Sequence, residues 1–145
     1  MAGLAWAVPV LVMLNGLCPI LGLKTRTSWQ MYSNIRLEAD ASNHLLVPRS
    51  LDLLGALRDR VVIVGTTDEK TSDLVAKGLD LPWIEFRRRM REQPEAAVTY
   101  ERGGERRVVA RVADDAVLSR PQPILARKLA FFGPLGPSVV ERCEW

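Results

Sequence analysis

Hydrophobic and polar positions divide this chain into two regimes. Met1 to Leu23, MAGLAWAVPVLVMLNGLCPILGL, carries no charged side chain, and from Lys24 on apolar and polar residues interleave. As one helix the apolar head would be roughly 34 Å long at ~1.5 Å per residue. That is enough for a hydrocarbon core of about 30 Å. Pro9, Pro19, Gly3, Gly16 and Gly22 suit a soluble helix poorly, and membrane spans tolerate them better. Asn15, the one strongly polar side chain of the head, calls for a partner helix or a polar cavity. Two rivals exist. A secretory signal normally has a basic start, which is missing here, and bulky Leu17 before Cys18 makes a poor processing site. The other rival is a buried core helix. The length favours a transmembrane helix at 1–23.

Beyond it, residues 24–58 read as a juxtamembrane connector and 59–145 as a small domain. Asn43 to Pro48 (NHLLVP) predicts a short strand stopped by proline. Ser50 to Asp59 (SLDLLGALRD) predicts a short helix or turn, with Ser50 as cap and leucines three apart. VVIVG (Val61 to Gly65) is β-branched and ended by glycine, the pattern of a strand. Thr67 or Asp68 then caps a helix that ends at Gly78. In DLPWIEFRRRMREQP, Asp80 is a candidate cap and Pro82 suits a first turn. Trp83, Phe86 and Met90 fall on one face, and Pro94 closes the helix. AAVTYERGGERRVVARV predicts a β-hairpin turning at Gly103-Gly104. Val98 and Tyr100 line one arm, and Val108, Ala110 and Val112 the other. After a loop, Pro123 to Phe132 predicts a last amphipathic helix, and VVERCEW one more strand. The fold class is therefore α+β: an N-terminal transmembrane helix followed by a small domain with a hairpin and three or four short helices.

Charge sharpens the division. All 20 Lys and Arg and all 17 Asp and Glu follow the apolar head. The net charge of +3 is too small to imply nucleic-acid binding by itself. Lys24, Arg26 and Arg36 stand just after the head, with only Glu38 against them. The positive-inside bias then places the domain on the cytoplasmic side of a cell membrane. Trp29 and Tyr32 are candidate interfacial anchors, or else the apolar side of a short helix packed on the domain. The two cysteines, Cys18 and Cys143, lie far apart and form neither a disulfide framework nor a zinc pattern.

Candidate chemistry is sparse. Gly65 to Thr71 joins a strand to a helix N-terminus but lacks the glycines and Lys-Ser/Thr of a phosphate loop. Arg87, Arg88, Arg89 and Arg91 crowd one helix. Of these, Arg87, Arg88 and Arg91, with Lys24 and Arg26, are the candidate contacts to anionic headgroups or other anions. A solvated face balanced by Glu85 and Glu92 is the plainer reading. His44 is the single histidine and has no evident nucleophile beside it. Asp114-Asp115 fits a turn better than a metal site. Cys143 has Arg142 to activate its thiol, but Glu141 and Glu144 oppose this. No residue pattern calls for a cofactor or a metal, and no catalytic set emerges.

GLKTRTSWQMYSNI (from Gly22), SNHLLVP and LRDRVVIVGTTDE together resemble the C-terminal part of bacterial multi-pass membrane proteins. These belong to the vitamin K-dependent gamma-carboxylase-like (horizontally transferred transmembrane) group. The resemblance implies a last membrane helix running into GLKT-x-x-S-x-x-M-x-SN-[IL]-R. A small domain would follow, with segments like LPWIEFRRRM and VTYERGG. Its most specific part is Gly22 to Arg36, with Asn43, His44 and Leu45. The departure is that such proteins carry several spans before this point and this chain shows one. No carboxylase catalytic residue has a counterpart here.

The reading that follows is a membrane-anchored, non-catalytic module: the tail or a split subunit of a larger multi-pass protein. Its partners would be the lipid bilayer and other membrane helices. A small membrane-associated enzyme using Cys143, His44, Asp114 or Asp115 is one alternative. A phosphate- or nucleic-acid-binding domain built on the basic helix is another. Nucleic acid fits that helix less well, because no aromatic platform interleaves with its arginines.

Overall fold

The computed structural model describes residues 2–23, 51–53, 55–124, 126 and 130–136. Lys24, Arg26, Trp29, Tyr32, His44 and Cys143, with the expected strands at 43–48 and at the C-terminus, lie outside these residues. Helix α1 (Ala2–Leu17) opens the chain. Then come β1 (Arg60–Thr66), α2 (Glu69–Ala76), β2 (Leu81–Pro82), α3 (Trp83–Glu92), β3 (Val98–Arg102) and β4 (Glu105–Val109). A 3-10 turn at Val112–Asp114 and α4 (Ala116–Ser119) follow. The α+β class holds: four strands form one antiparallel sheet in the order β2-β1-β3-β4.

The apolar head needs correction. Its helix has 16 residues, about 24 Å at ~1.5 Å per residue, short of a bilayer core of about 30 Å. Among the described residues no helix is long and apolar enough to cross a membrane. The chain leaves the helix because Pro19 has no amide to continue the ladder and Gly22 turns left-handed at φ 66°. Leu21 N still reaches Leu17 O, and Leu23 N reaches Cys18 O, closing a tight turn.

That turn docks on the segment before the sheet. Leu51 N donates to Ile20 O at 2.8 Å and Leu53 N to Leu21 O at 3.1 Å. Residues 55–58 bend and turn without forming a helix. Buried Asp52 (φ 42°) accepts from Leu57 N at 3.1 Å through Oδ1.

Strand β1 alternates as an antiparallel strand with one covered face should: Val61 and Ile63 are buried, Val62 and Val64 exposed. A bulge at Val64 shifts its register against β3. Asp68 caps α2 as expected, its carboxylate accepting from Thr71 N at 3.0 Å and from Thr71 Oγ1 at 2.6 Å. The helix stops before Gly78, at φ 60°. Asp80 does not cap α3. A residue before proline avoids the α region, so Leu81 stays extended and pairs with Val61. The helix begins only at Trp83, and Asp80 exchanges backbone hydrogen bonds with Leu135.

The hairpin turns at Gly103 (φ 59°) and Gly104 (φ 83°), both positive as a tight two-residue turn demands. A Cβ at Gly103 would meet nothing within 4 Å, so the cost of a side chain there is purely conformational. Gly103→Val should lower stability by about 1–2 kcal/mol in urea unfolding. An unchanged midpoint would contradict the left-handed backbone. The turn also sets the register: Arg102 faces Glu105, Tyr100 faces Arg107 and Val98 faces Val109. The inward row of β4 is therefore Glu105, Arg107 and Val109. Val109 is buried and Val108 is 75% exposed, opposite to the parity expected from the sequence.

The main core joins Val61, Ile63, Leu74, Leu81, Phe86, Met90, Val98, Tyr100, Val109, Val112 and Leu118. Trp83, Phe86 and Met90 do share the covered side of α3. A second cluster gathers Leu57, Ala130, Phe132 and Leu135. The expected last helix does not reach Phe132. Ile124 and Ala126 are helical, Ala130 N bonds Ala126 O, and residues 130–136 are not helical.

Candidate functional site

Three turns and strand ends meet at the Gly103 end of the sheet and enclose a cleft of about 600 Å³. Arg58 comes from the turn before β1 and Arg60 from its first residue. Arg102 ends β3, and Arg107 stands mid-way along β4. Trp83 and Tyr100 complete the lining together with Asp59, Gly103, Glu105 and Val117. The juxtaposition follows from the sheet order: β1 lies against β3, and the two-residue turn brings β4 back with Arg107 opposite Tyr100.

The aromatic floor is fixed. Trp83 stacks on Phe86 with centroids 5.7 Å apart, and Tyr100 lies 4.9 Å from Phe86. Arg102 sits 4.1 Å over the Trp83 ring, a cation–π geometry. It also grips Asp59 bidentately, Nε to Oδ1 and Nη2 to Oδ2, both at 2.8 Å. That bond holds the Arg102 guanidinium above its ordinary pKa. Arg60 donates from Nε to Leu57 O at 2.9 Å. Burial pushes the Tyr100 phenol above its ordinary pKa, against the opposing pull of Arg107, which is hydrogen-bonded to it. The phenol thus keeps its proton at neutral pH and remains a donor. Asp59 and Glu105 offset part of the charge of the four arginines.

The arginines of α3 are arranged differently. Glu85 stands just ahead of the basic run and is buried at 2% exposure, and its Oε1 accepts from Arg88 at 2.8 Å and Arg89 at 3.0 Å. Arg87 donates to Arg120 O at 2.6 Å and lies 5.9 Å from the Trp83 ring. Burial lowers its pKa, and neighbouring Arg120, Arg91 and Arg102 lower it further. Arg87 and Arg88 are thus each engaged by a partner within the fold, while Arg91 is exposed. Arg87 also lines a second, smaller cleft of about 280 Å³ with Ile84, Gln122 and Pro123.

Asp115 caps α4, accepting from Val117 N and Leu118 N at 2.8 Å. Asp114 approaches Arg111 at 3.5 Å. Among the described residues no group of three or more His, Cys, Asp or Glu could hold a metal ion. Arg58, Arg60, Arg102 and Arg107 were not singled out by the sequence pattern. A signal for one of them existed: a Gly-Gly hairpin turn dictates that Arg107 faces Tyr100. Arg58 and Arg60 carry no such local mark, because only the pairing of β1 with β3 brings them there.

Comparison with protein-family models, curated proteins and solved structures found no match to this chain.

Proposed function

We propose that the chain is a membrane-associated, non-catalytic module, working as the tail or a split subunit of a larger multi-pass membrane protein. The observation that supports it is the surface of α1. Trp6 (71% exposed), Val8 (66%), Leu11 (63%) and Met13 (62%) stand in solvent, with Val10, Val12 and Leu14 also exposed. These consecutive positions run round every side of the helix, and α1 packs extensively on no other named element among the described residues. A helix apolar all round belongs in lipid or among other apolar helices. Because α1 is too short to cross alone, the proposed setting is a bundle of membrane helices supplied by a partner. The resemblance to multi-pass proteins points the same way. The cations that follow at Lys24 and Arg26 favour a cytoplasmic domain.

Membrane fractionation tests this. After expression in bacteria and an alkaline wash, the full chain should remain in the membrane pellet and float with lipid in a density gradient. Leu11→Lys combined with Met13→Lys should shift most of it to the supernatant, since each central cation costs about 2.5–3.5 kcal/mol in the bilayer. Recovery of the unaltered chain in the washed supernatant would overturn the proposal.

A further inference from the structure

We propose that the cleft between Arg58 and Arg107 binds a phosphoryl dianion, a phosphate monoester or pyrophosphate group, independently of how the chain associates with membranes. Four guanidinium groups and two carboxylates line the cleft, leaving an excess of positive charge. Asp59 is already engaged by both nitrogens that Arg102 offers it. The carboxylate remaining is Glu105, exposed on the rim.

Guanidinium forks match the oxygen spacing of phosphate and bind it in pairs. A phosphoryl group has enough oxygens to engage several arginines at once, where a lone carboxylate has only two. The size of the cleft, about 600 Å³, lies in the range of small-ligand sites. Its parts are preorganised: Arg102 is clamped between Trp83 and Asp59, and Arg60 is held by Leu57 O. The protonated Tyr100 phenol adds a neutral donor. A stacked nucleobase fits less well, because Trp83 is engaged by Arg102 and by Phe86. Recognition through charge and hydrogen bonds is what the lining offers.

The test uses the full chain in a neutral detergent, titrated calorimetrically with pyrophosphate and with inorganic phosphate. Its second arm uses phosphatidylcholine vesicles doped with either phosphatidic acid, a phosphate monoester, or phosphatidylserine. Saturable pyrophosphate binding that weakens with added salt is expected. Arg58→Gln and Arg107→Gln should each weaken it about tenfold, the scale of one charge-assisted hydrogen bond. Both side chains are exposed, and an unchanged circular dichroism spectrum and unfolding midpoint would verify that the fold survives. Arg106→Gln, on the opposite face of β4, should stay within twofold. Preference for phosphatidic acid over phosphatidylserine, lost in Arg107→Gln, would identify a lipid headgroup as the source. Pyrophosphate binding without that preference would identify a free phosphorylated compound. Neither binding nor preference, or an equal loss in Arg106→Gln, would overturn the site. Sedimentation with undoped vesicles reads α1 alone and keeps the two proposals separable.

Discussion

Phe86→Ala is expected to remove about 3–5 kcal/mol of stability, a large part of the roughly 5–15 kcal/mol that a domain has. Phe86 has no exposed surface. It forms one corner of an aromatic triangle with Trp83 and Tyr100, whose ring centroids lie 5.7 and 4.9 Å from it and 5.9 Å from each other. It therefore joins α3 to the centre of the sheet. Truncation opens a cavity whose walls are themselves fixed: Tyr100 by strand pairing on both sides, and Trp83 by its place at the helix start. Collapse around the gap is thus limited, and the upper part of the range applies. Phe86→Leu should cost less, about 1–2 kcal/mol, because most of the volume is retained. Val108→Ala on the exposed side of β4 should fall within about 0.5 kcal/mol. Chemical unfolding of the three variants checks this. Equal losses in Phe86→Ala and Val108→Ala would refute the assigned face of the sheet.

Gly22→Ala should cost about 2–4 kcal/mol, more than a positive φ alone explains. At φ 66° any side chain is strained there. The added Cβ would also stand 2.5 Å from Asp52 Cα, 3.0 Å from its amide nitrogen and 3.1 Å from its Oδ1. Two of these atoms are backbone and cannot rotate away. Relief requires the turn after α1 to separate from residues 51–53. That breaks the bonds from Leu51 N to Ile20 O and from Leu53 N to Leu21 O. Asp52 would lose its hold on Leu57 N, and with it the anchoring of the second core cluster. Gly78→Ala serves as the comparison. Its φ is 60°, nearly the same, but a Cβ there meets nothing within 4 Å. It should therefore cost only the conformational part, about 1 kcal/mol. Hydrogen exchange should show loss of protection at the amides of Leu51, Leu53 and Leu57 in Gly22→Ala alone. Matching costs at the two glycines would remove the close approach as an explanation.

Local chemistry accounts for what was legible in the order of residues. The β-branched run from Val61, the Asp68 cap, the Gly103-Gly104 turn and the face shared by Trp83, Phe86 and Met90 each depend on neighbours within a few positions. Their physics is complete in a short window. Asp80 shows the limit of such windows. A cap residue near a helix start was plausible, yet Pro82 held Leu81 extended and β1 stood ready to pair with it. Val108 shows another limit. Alternation along the arm put Val108, Ala110 and Val112 on the inward row, but the register set by the turn gives that row to Glu105, Arg107 and Val109.

The sequence by itself determined the composition of the two regimes, the α+β class, the central strand and the hairpin turn, because capping, turn conformation and side-chain periodicity act locally. Only the tertiary structure decided that the turn after α1 docks on residues 51–53 and that Arg88 and Arg89 turn onto buried Glu85. It also decided that Arg58, Arg60, Arg102 and Arg107 surround one cleft. Those outcomes depend on which distant segments pair, and a burial or a charge partner is fixed only once two such segments have met.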